Sequence, residues 1–253
     1  MHLKIPKLAV KIISHNVYWF QGHPFSESCP GAPNQEILRR LCTLYREKEA
    51  AILCLQEIQS EDVAMAVAAE MQMDVLYTPG AIHAQYGSMI ATSLRSPFRL
   101  PNGAPTILER SLVAARVPLP SGTLGVTSIH LTSGRQTSPA EAKAARVREI
   151  SEFLTSHGVE TDILAGDFNE DPDGEVAGLL RARGFVDTAS VFGKASIGAS
   201  VSGTRRRDLI WVKAKWQSRL LDYGVVQEEL AVSDLKGKSF LSDHRPVWIT
   251  LEA

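Results

Sequence analysis

The chain has 253 residues, of which 44% are hydrophobic and 22% charged, and its 27 basic and 28 acidic side chains give a formal net charge of -1. These values are typical of an ordinary globular protein, and they argue against a protein that binds duplex DNA through a strongly basic overall charge. A local basic patch remains compatible with this balance, because net charge does not describe distribution.

The cysteine residues and the length of the apolar runs indicate the cellular compartment of the protein. Cys29, Cys42 and Cys54 form an odd set without a CxxC pair, and Cys42 and Cys54 fall in a predicted helix and strand, which predicts buried thiols in a reducing compartment. The first residues are interrupted by Pro6 and Lys11, and no run approaches the ~20 apolar residues of a membrane helix. We therefore expect a cytoplasmic protein without a membrane span, and no obligate protein partner is evident.

The first quarter of the chain alternates strands and helices. Residues 8–17 are short and rich in Val and Ile, which favours a strand. Residues 34–45 read as a helix with Asn34 as N-cap, and the continuous apolar run 50–58 is typical of a strand covered on both faces. A second helix is predicted to begin at Ser60.

Strands dominate the middle of the chain. Residues 86–94, 110–119 and 122–132 are predicted strands, and the last two are joined by a hairpin turn at residues 120–122. Ser138 then opens a helix, with a proline in its first turn and a stop at Gly158. The remaining predicted elements are a strand at 162–168, a helix at 174–184, and strands at 206–212 and 245–251.

Interleaved strands and helices with local hairpins favour an α/β chain in which helices cover mixed sheets, rather than a pure Rossmann order. The length is compatible with one large or two small domains. The sequence shows no fixed-period repeat, low-complexity tract or linker. We therefore predict a single domain over residues 1–253.

Polar residues stand at one end of six apolar segments. A rigid sheet orients side chains at strand ends, and folds commonly place chemistry there. The residues concerned are Asn16, Glu57, His130, Asp167, Asp208, Asp243 and His244.

One of these segments, residues 163–172, ends with two polar residues. Asp167 and Asn169 stand two positions apart with Phe168 between them, so in an extended chain they point in the same direction. An Asx-type turn at the strand end is the alternative interpretation.

The side-chain types indicate a chemistry. Glu57, Asp243 and the amide of Asn16 offer hard oxygen ligands, which suit Mg²⁺ or Mn²⁺ better than zinc. A hard cation polarises a phosphoryl oxygen, so this set predicts hydrolysis of a phosphate ester.

Imidazole groups complete the predicted site. His244 titrates near neutral pH, and Asp208 is a candidate partner that would select its tautomer. His130 is a candidate proton donor or phosphate contact, with a hydrogen-bonded core histidine as the alternative. The remaining histidines, including His15, are interpreted as structural.

Seven motifs in order resemble one known family. They are "HNV", "LQEI", "YGSMIATS", "SIHLTSG", "GDFNEDP", "RRDLIWV" and "SDHRPV". Over residues 16–246 the chain resembles the endonuclease/exonuclease/phosphatase superfamily, which has the DNase I-like fold.

The resemblance implies a four-layer α/β/β/α sandwich with the site at one end. It implies that a divalent ion, Mg²⁺ or Mn²⁺, is held by Asn16, Glu57 and Asp243. It also implies catalytic roles for His130, Asp167, Asn169, Asp208 and His244. Arg110 matches an arginine that grips phosphate in several branches, with Arg116 on the same predicted strand as its rival.

The sequence departs from the family pattern at Arg207, where members often carry an apolar residue. The stretch 204–208 is interpreted as a solvated loop that can also meet substrate phosphates, and Tyr18 and Trp19 as packing residues rather than base-stacking ones.

The leading functional hypothesis is a divalent-metal-dependent phosphodiesterase of nuclease type, with nucleic acid among the candidate substrates. Two alternatives remain: a lipid or small-molecule phosphate esterase of the same fold, and a catalytically silent scaffold.

Overall fold

A computed structural model describes residues 9–27, 30–100, 108–135, 137–195 and 205–253. Its strands are β1 (Ala9–Asn16), β2 (Ile52–Ile58), β3 (Asp74–Thr78), β4 (Gly87–Thr92), β5 (Phe98–Arg99), β6 (Ser111–Leu119), β7 (Gly122–His130), β8 (Ile163–Asp167), β9 (Phe185–Asp187), β10 (Asp208–Lys213), β11 (Leu220–Val225) and β12 (Val247–Glu252). Its α-helices are α1 (Gln35–Glu47), α2 (Glu61–Met71), α3 (Pro139–Ser156), α4 (Glu175–Ala182) and α5 (Thr188–Val191).

The strands form two mixed sheets of six. The first has the order β11-β12-β1-β2-β4-β3, and the second the order β5-β6-β7-β8-β10-β9. One neighbouring pair in each sheet is parallel, β1 with β2 and β7 with β8, and the other pairs are antiparallel. Parallel neighbours bring their carboxyl ends to the same edge of a sheet.

Three hydrophobic layers hold the sheets and helices together. Helices α1 and α2 pack on the outer face of the first sheet, and α3 and α4 on the outer face of the second. Between the sheets lie apolar side chains from both, such as Ile12 and Ile52 from the first and Val126 and Ile163 from the second. The four-layer sandwich predicted from the sequence is confirmed.

Local sequence explains where the helices begin. Asn34 accepts hydrogen bonds from the backbone N–H groups of Glu36 and Ile37 at the start of α1. Ser138 and Glu141 form a capping box at the start of α3, which is the helix that the sequence predicted most clearly.

Strand register places the polar strand ends together. Asn16 lies opposite Gln56 in the parallel β1–β2 pair, and His130 lies opposite Asp167 in the parallel β7–β8 pair. Asp208, the first residue of β10, lies opposite Asp167 on its other side. The ends of three sequence segments therefore meet at one edge of the second sheet.

Four strands, β3, β5, β9 and β11, lie where no strand was predicted. Their residues are short runs or partly exposed edge positions, so they lack the apolar run that marks the central strands. The predicted strands 206–212 and 245–251 begin later than expected, at Asp208 and Val247.

The thiols of Cys42 and Cys54 are free and buried, as predicted, whereas Cys29 lies outside the described residues. No helix in the described part of the chain is both long and apolar enough to cross a bilayer.

Candidate active site

A cleft of about 480 Å³ opens where the polar strand ends meet. Seven of the nine predicted site residues line it: Glu57, Arg110, His130, Asp167, Asn169, Asp243 and His244. The other two, Asn16 and Asp208, are buried behind the wall and form hydrogen bonds to lining residues. The structure thus brings together residues that are spread over almost the whole chain.

A break in the pairing of β2 directs Glu57 into the cleft. Gln56 pairs with Ser88 and Ile58 with Gly87, so Glu57 is an extra residue opposite β4, and its φ is 61°. Leu55, two positions earlier, faces α1 and α2 in the first core layer. In a regular strand Glu57 would point to the same side, and the bulge re-aims its carboxylate.

Asp167 and Asn169 both reach the cleft, as predicted, but the chain between them is not extended. Strand β8 ends at Asp167, and Asn169 adopts a left-handed conformation with φ 49°. The Asp167 carboxylate accepts the Asn169 backbone N–H at 2.9 Å, and the Asn169 side chain donates to the Leu131 carbonyl at 3.0 Å. The Asx-type turn is therefore present, and it places both side chains at the cleft.

Asp208 and His244 form the closest pair of titratable groups in the site. Nδ1 of His244 lies 2.7 Å from a carboxylate oxygen of fully buried Asp208. The other ring nitrogen, Nε2, faces Asp167 at 3.8 Å and Asp243 at 3.9 Å. The pair can therefore hold a proton on Nδ1 while Nε2 faces the cleft.

Buried hydrogen bonds dock the segment carrying His244 onto the end of β1. The Ser242 hydroxyl donates to the Asn16 carbonyl at 2.8 Å and accepts the His244 backbone N–H at 3.1 Å. Nε2 of His15 lies 3.1 Å from the His244 carbonyl, and its Nδ1 lies 2.6 Å from the Tyr45 hydroxyl. Because a carbonyl only accepts, His15 donates from Nε2 and accepts the tyrosine hydroxyl at Nδ1.

Burial and neighbouring charges shift the pKa values of the two site histidines in opposite directions. Burial by itself lowers the pKa of His244, but Asp208 and Asp167 raise it well above its ordinary value. Burial lowers the pKa of His130 well below its ordinary value, and Arg110 lowers it further against the opposing effect of Asp167. These surroundings therefore favour the charged form of His244 and the neutral form of His130.

Two cleft carboxylates have the features of cation ligands. One oxygen each of Glu57 and Asp243 is buried without a hydrogen-bond partner among the described residues. Burial, together with the nearby carboxylate of Asp243, raises the pKa of Glu57 to about 7 against the opposing effect of Arg110. An unsatisfied buried carboxylate is costly, and a hard divalent ion between these oxygens would remove that cost.

The side-chain amide of Asn16, the third predicted ligand, already forms hydrogen bonds through both its oxygen and its nitrogen. Its oxygen accepts the Tyr18 backbone N–H at 3.0 Å, and its nitrogen donates to Asp167 at 3.2 Å. Only the second lone pair of that oxygen is left for a cation. The role of Asn16 as a ligand therefore stays a prediction.

Another group of possible ligand atoms lies beside these carboxylates. Atoms of Asp167, Asp208 and His244 lie within 4.8 Å of one another. The hydrogen bond between Asp208 and His244 engages one atom of each, and a histidine must be neutral to bind a metal. This geometry favours proton transfer over metal binding for the pair.

Arg110 lies in the cleft, whereas its rival Arg116 is paired with Glu160 away from it. The Arg110 guanidinium lies 3.4 Å from Glu57, donates to the Ser133 hydroxyl at 2.7 Å and stacks 3.9 Å from the Tyr86 ring centre. These contacts hold a buried cation in one orientation.

Several lining residues were not predicted as parts of the site. They include Tyr86, Ser133, Arg135 and Arg146. Arg135 lies 3.5 Å from Asp243. Tyr86 and Ser133 lie in two of the seven motifs, "YGSMIATS" and "SIHLTSG", which was the signal that could have found them, whereas Arg135 and Arg146 lie outside every motif. Tyr18 and Trp19 are almost fully buried, but both also line the cleft, so their role as packing residues stays a prediction.

Known structures share this fold. A conserved protein of unknown function from Enterococcus faecalis V583 is 17% identical, with 96% of this chain and 100% of that chain covered and a TM-score of 0.69. An endonuclease/exonuclease/phosphatase from Beutenbergia cavernae DSM 12333 is 15% identical, with 96% and 71% covered and a TM-score of 0.68.

Danio rerio TDP2, solved in complex with a single-strand DNA product, is 17% identical, with 97% and 99% covered and a TM-score of 0.66. No curated protein sequence matches the chain. The model of the endonuclease/exonuclease/phosphatase family matches residues 13–244, which is most of the chain and includes all nine predicted site residues. The chain belongs to the endonuclease/exonuclease/phosphatase family.

Proposed function

We propose that the protein is a Mg²⁺-dependent phosphoesterase and, within that class, a phosphodiesterase of nuclease type. The observation that carries the proposal is the juxtaposition of two features in one cleft. One is a carboxylate oxygen on each of Glu57 and Asp243 that has no hydrogen-bond partner among the described residues, and the other is the hydrogen-bonded pair of Asp208 and His244. The first pair suits a hard cation, and the second suits proton transfer.

Glu57 and Asp243 would hold the cation, with Asn16 as a third ligand through its remaining lone pair. Mg²⁺, or Mn²⁺ in its place, would supply electrophilic polarisation of the scissile phosphate and a lowered pKa for water. Arg110 would bind a non-bridging phosphate oxygen, because its charge, orientation and burial suit an anion that enters the cleft.

Asp208 would keep the proton on Nδ1 of His244, so that Nε2 exchanges a proton with the reacting groups in the cleft. With a cation held by Glu57 and Asp243, the positive charge of His244 would be opposed and its pKa would be lower than without the cation. Asp167 and Asn169 would orient the attacking water and the phosphate. Neutral His130 lies 3.4 Å from Asp167 through Nε2 and would contact the phosphate.

Among the candidate substrates we favour a nucleic-acid phosphodiester. The complex of Danio rerio TDP2 with single-strand DNA product supports nucleic acid as a candidate. Lipid and small phosphate esters are the alternative substrates within the same chemistry. A catalytically silent scaffold is disfavoured, because all nine predicted side chains are present at the site.

We further propose that residues 1–253 form one catalytic domain. The free buried thiols of Cys42 and Cys54 support a reducing compartment, and with it the cytoplasmic location.

The test is hydrolysis of an aryl phosphodiester and of single-stranded DNA and RNA by the purified protein, with Mg²⁺ or with EDTA. We expect activity that requires Mg²⁺ and that His244→Ala abolishes. His83→Ala, a change at an exposed histidine that does not line the cleft, is the matched control and should be as active as the wild type. Activity that persists in EDTA or in His244→Ala contradicts the proposal.

A further inference from the structure

The cleft extends beyond the proposed reaction site. Past Asn169 it is lined by the start of α3 and by the segment that leads into β10. We call this part the outer end of the cleft; its charged residues are Arg146, Glu170, Asp171, Arg205 and Arg207. None of them belongs to the proposed metal site or to the Asp208–His244 pair.

A buried ion pair orients two of these arginines. Arg206 is buried and forms two hydrogen bonds to the carboxylate of Asp187, at 3.1 and 2.8 Å. Arg206 is thereby fixed on the Asp187 side, and its neighbours in the chain, Arg205 and Arg207, line the cleft. The backbone carbonyl of Arg207 accepts the Phe168 N–H at 2.8 Å, which attaches the segment to the end of β8.

The existing ion pairs leave positive charge available at the outer end. Arg146 lies 3.3 Å from Glu170, whose other oxygen accepts the Val176 backbone N–H at 3.0 Å. These groups satisfy one another.

Arg205 reaches Asp171 only at 3.9 Å, and its side chain is 67% exposed, so that pair is weak. Within the described residues Arg207 has no ion-pair partner, although it is half-buried in the cleft.

We propose that the outer end of the cleft binds a second phosphate group of the substrate, with Arg207 as the main contact and Arg205 beside it. The inference rests on the proposed function, since the first phosphate is the one hydrolysed. An unpaired guanidinium in a partly desolvated cleft matches a phosphate better than any uncharged group, because charge-assisted hydrogen bonds to phosphate are strong.

Two kinds of substrate carry such a second phosphate. One is a nucleic-acid strand, in which one sugar separates the hydrolysed phosphate from the next phosphate. The other is a small ester that bears two phosphates. The test therefore uses substrates of both kinds.

The test compares the 4-nitrophenyl ester of thymidine 5′-phosphate with the same ester carrying a 3′-phosphate, and adds a matching pair built on glycerol. We expect the wild type to favour the substrates that have the second phosphate. The double variant Arg205→Gln/Arg207→Gln should lower kcat/KM for those substrates about 10-fold or more, and change kcat/KM for the single-phosphate substrates less than about 2-fold.

Arg148→Gln is the matched control. Arg148 is an exposed arginine on α3 that does not line the cleft, and the change should leave both values unaltered. A preference in the thymidine pair alone identifies a nucleic-acid strand as the source of the second phosphate, and a preference in both pairs identifies the phosphate itself. A wild type without preference, or a double variant that loses activity equally on all substrates, overturns the inference.

Calorimetric binding of thymidine 3′,5′-bisphosphate and thymidine 5′-monophosphate at fixed Mg²⁺ separates this inference from the proposed function. We expect tighter binding of the bisphosphate, by about 10-fold or more, and loss of that difference in the double variant. If the wild type hydrolyses no substrate but retains this difference, the proposed function fails and the second phosphate site stands. Equal binding of both nucleotides overturns the site.

Discussion

His244 and Asp208 lie 36 positions apart in the chain, yet Nδ1 of the histidine is 2.7 Å from a carboxylate oxygen of the aspartate. Strand β10 carries Asp208 in the second sheet, whereas His244 precedes β12 in the first. The contact therefore joins the two sheets at the cleft, where a proton can be held between a fully buried carboxylate and a partly buried imidazole.

Replacing Asp208 by Asn should remove the charge that holds the Nδ1 proton and raises the pKa of His244. We expect kcat to fall by about 10²- to 10⁴-fold with little change in KM, because the substrate contacts stay in place. Steady-state kinetics on an aryl phosphodiester measures this effect. Asp222→Asn, at a half-exposed carboxylate, is the control, and equal activity of both variants would refute the acid–base role.

Glu57 and Asp243 should determine the affinity for Mg²⁺. Glu57→Gln and Asp243→Asn each remove a carboxylate from the proposed ligand set, so the Mg²⁺ concentration for half-maximal activity should rise about 10-fold or more. Titration of activity with Mg²⁺, together with calorimetric titration of Mn²⁺, measures the change.

Asp171→Asn alters a carboxylate at the outer end of the same cleft and should leave metal affinity unchanged. An unaltered Mg²⁺ dependence in the Glu57 and Asp243 variants would instead favour the group of Asp167, Asp208 and His244 as the metal site.

Gly166 allows β8 to approach β7 closely just before Asp167. Its φ is 154°, and a Cβ added there would lie 1.8 Å from the Ile129 carbonyl oxygen. Gly166→Ala should therefore destabilise the fold by about 2–4 kcal/mol, as measured by urea unfolding.

Gly178→Ala is the matched control for this change. Gly178 lies within α4, and a Cβ there meets nothing within 4 Å, so the change should stabilise the protein by about 0.5–1 kcal/mol. Similar stabilities of the two variants would show that β7 and β8 can separate at little cost.

We expect His15 to make the free energy of unfolding depend on pH. Burial lowers its pKa from 6.5 to about 3 in the folded protein. Below pH 6.5 His15 takes up a proton in the unfolded chain but stays neutral in the folded protein. His15 therefore reduces the free energy of unfolding progressively as the pH falls from 6.5 to 3. At pH 5 this effect amounts to about 2 kcal/mol.

His15→Gln retains a donor and an acceptor for His244 and Tyr45 but cannot take up the proton. We expect the variant to be less stable than the wild type at pH 7.5, and the gap to shrink by about 2 kcal/mol at pH 5. Urea unfolding at both pH values measures the gap. A gap that does not change with pH would show that His15 titrates normally in the folded protein.

Much of the fold follows from local sequence patterns. The sequence itself shows the continuous apolar runs of β2 and β8 and the capping residues of α1 and α3. The structure has these elements where they were predicted. Edge strands such as β3 and β11 were missed, because partly exposed strands lack an apolar run.

The sequence by itself determined the types of residue at the site, because metal ligands and proton carriers belong to a small chemical set that stands at strand ends. Only the tertiary structure decided how they point. The bulge at Glu57, the left-handed turn at Asn169 and the buried docking of His15 on the His244 segment depend on contacts between distant parts of the chain. The same holds for Arg205 and Arg207, whose orientation depends on the buried pair of Arg206 with Asp187. Side-chain direction at such positions follows from packing between sheets, which no local pattern contains.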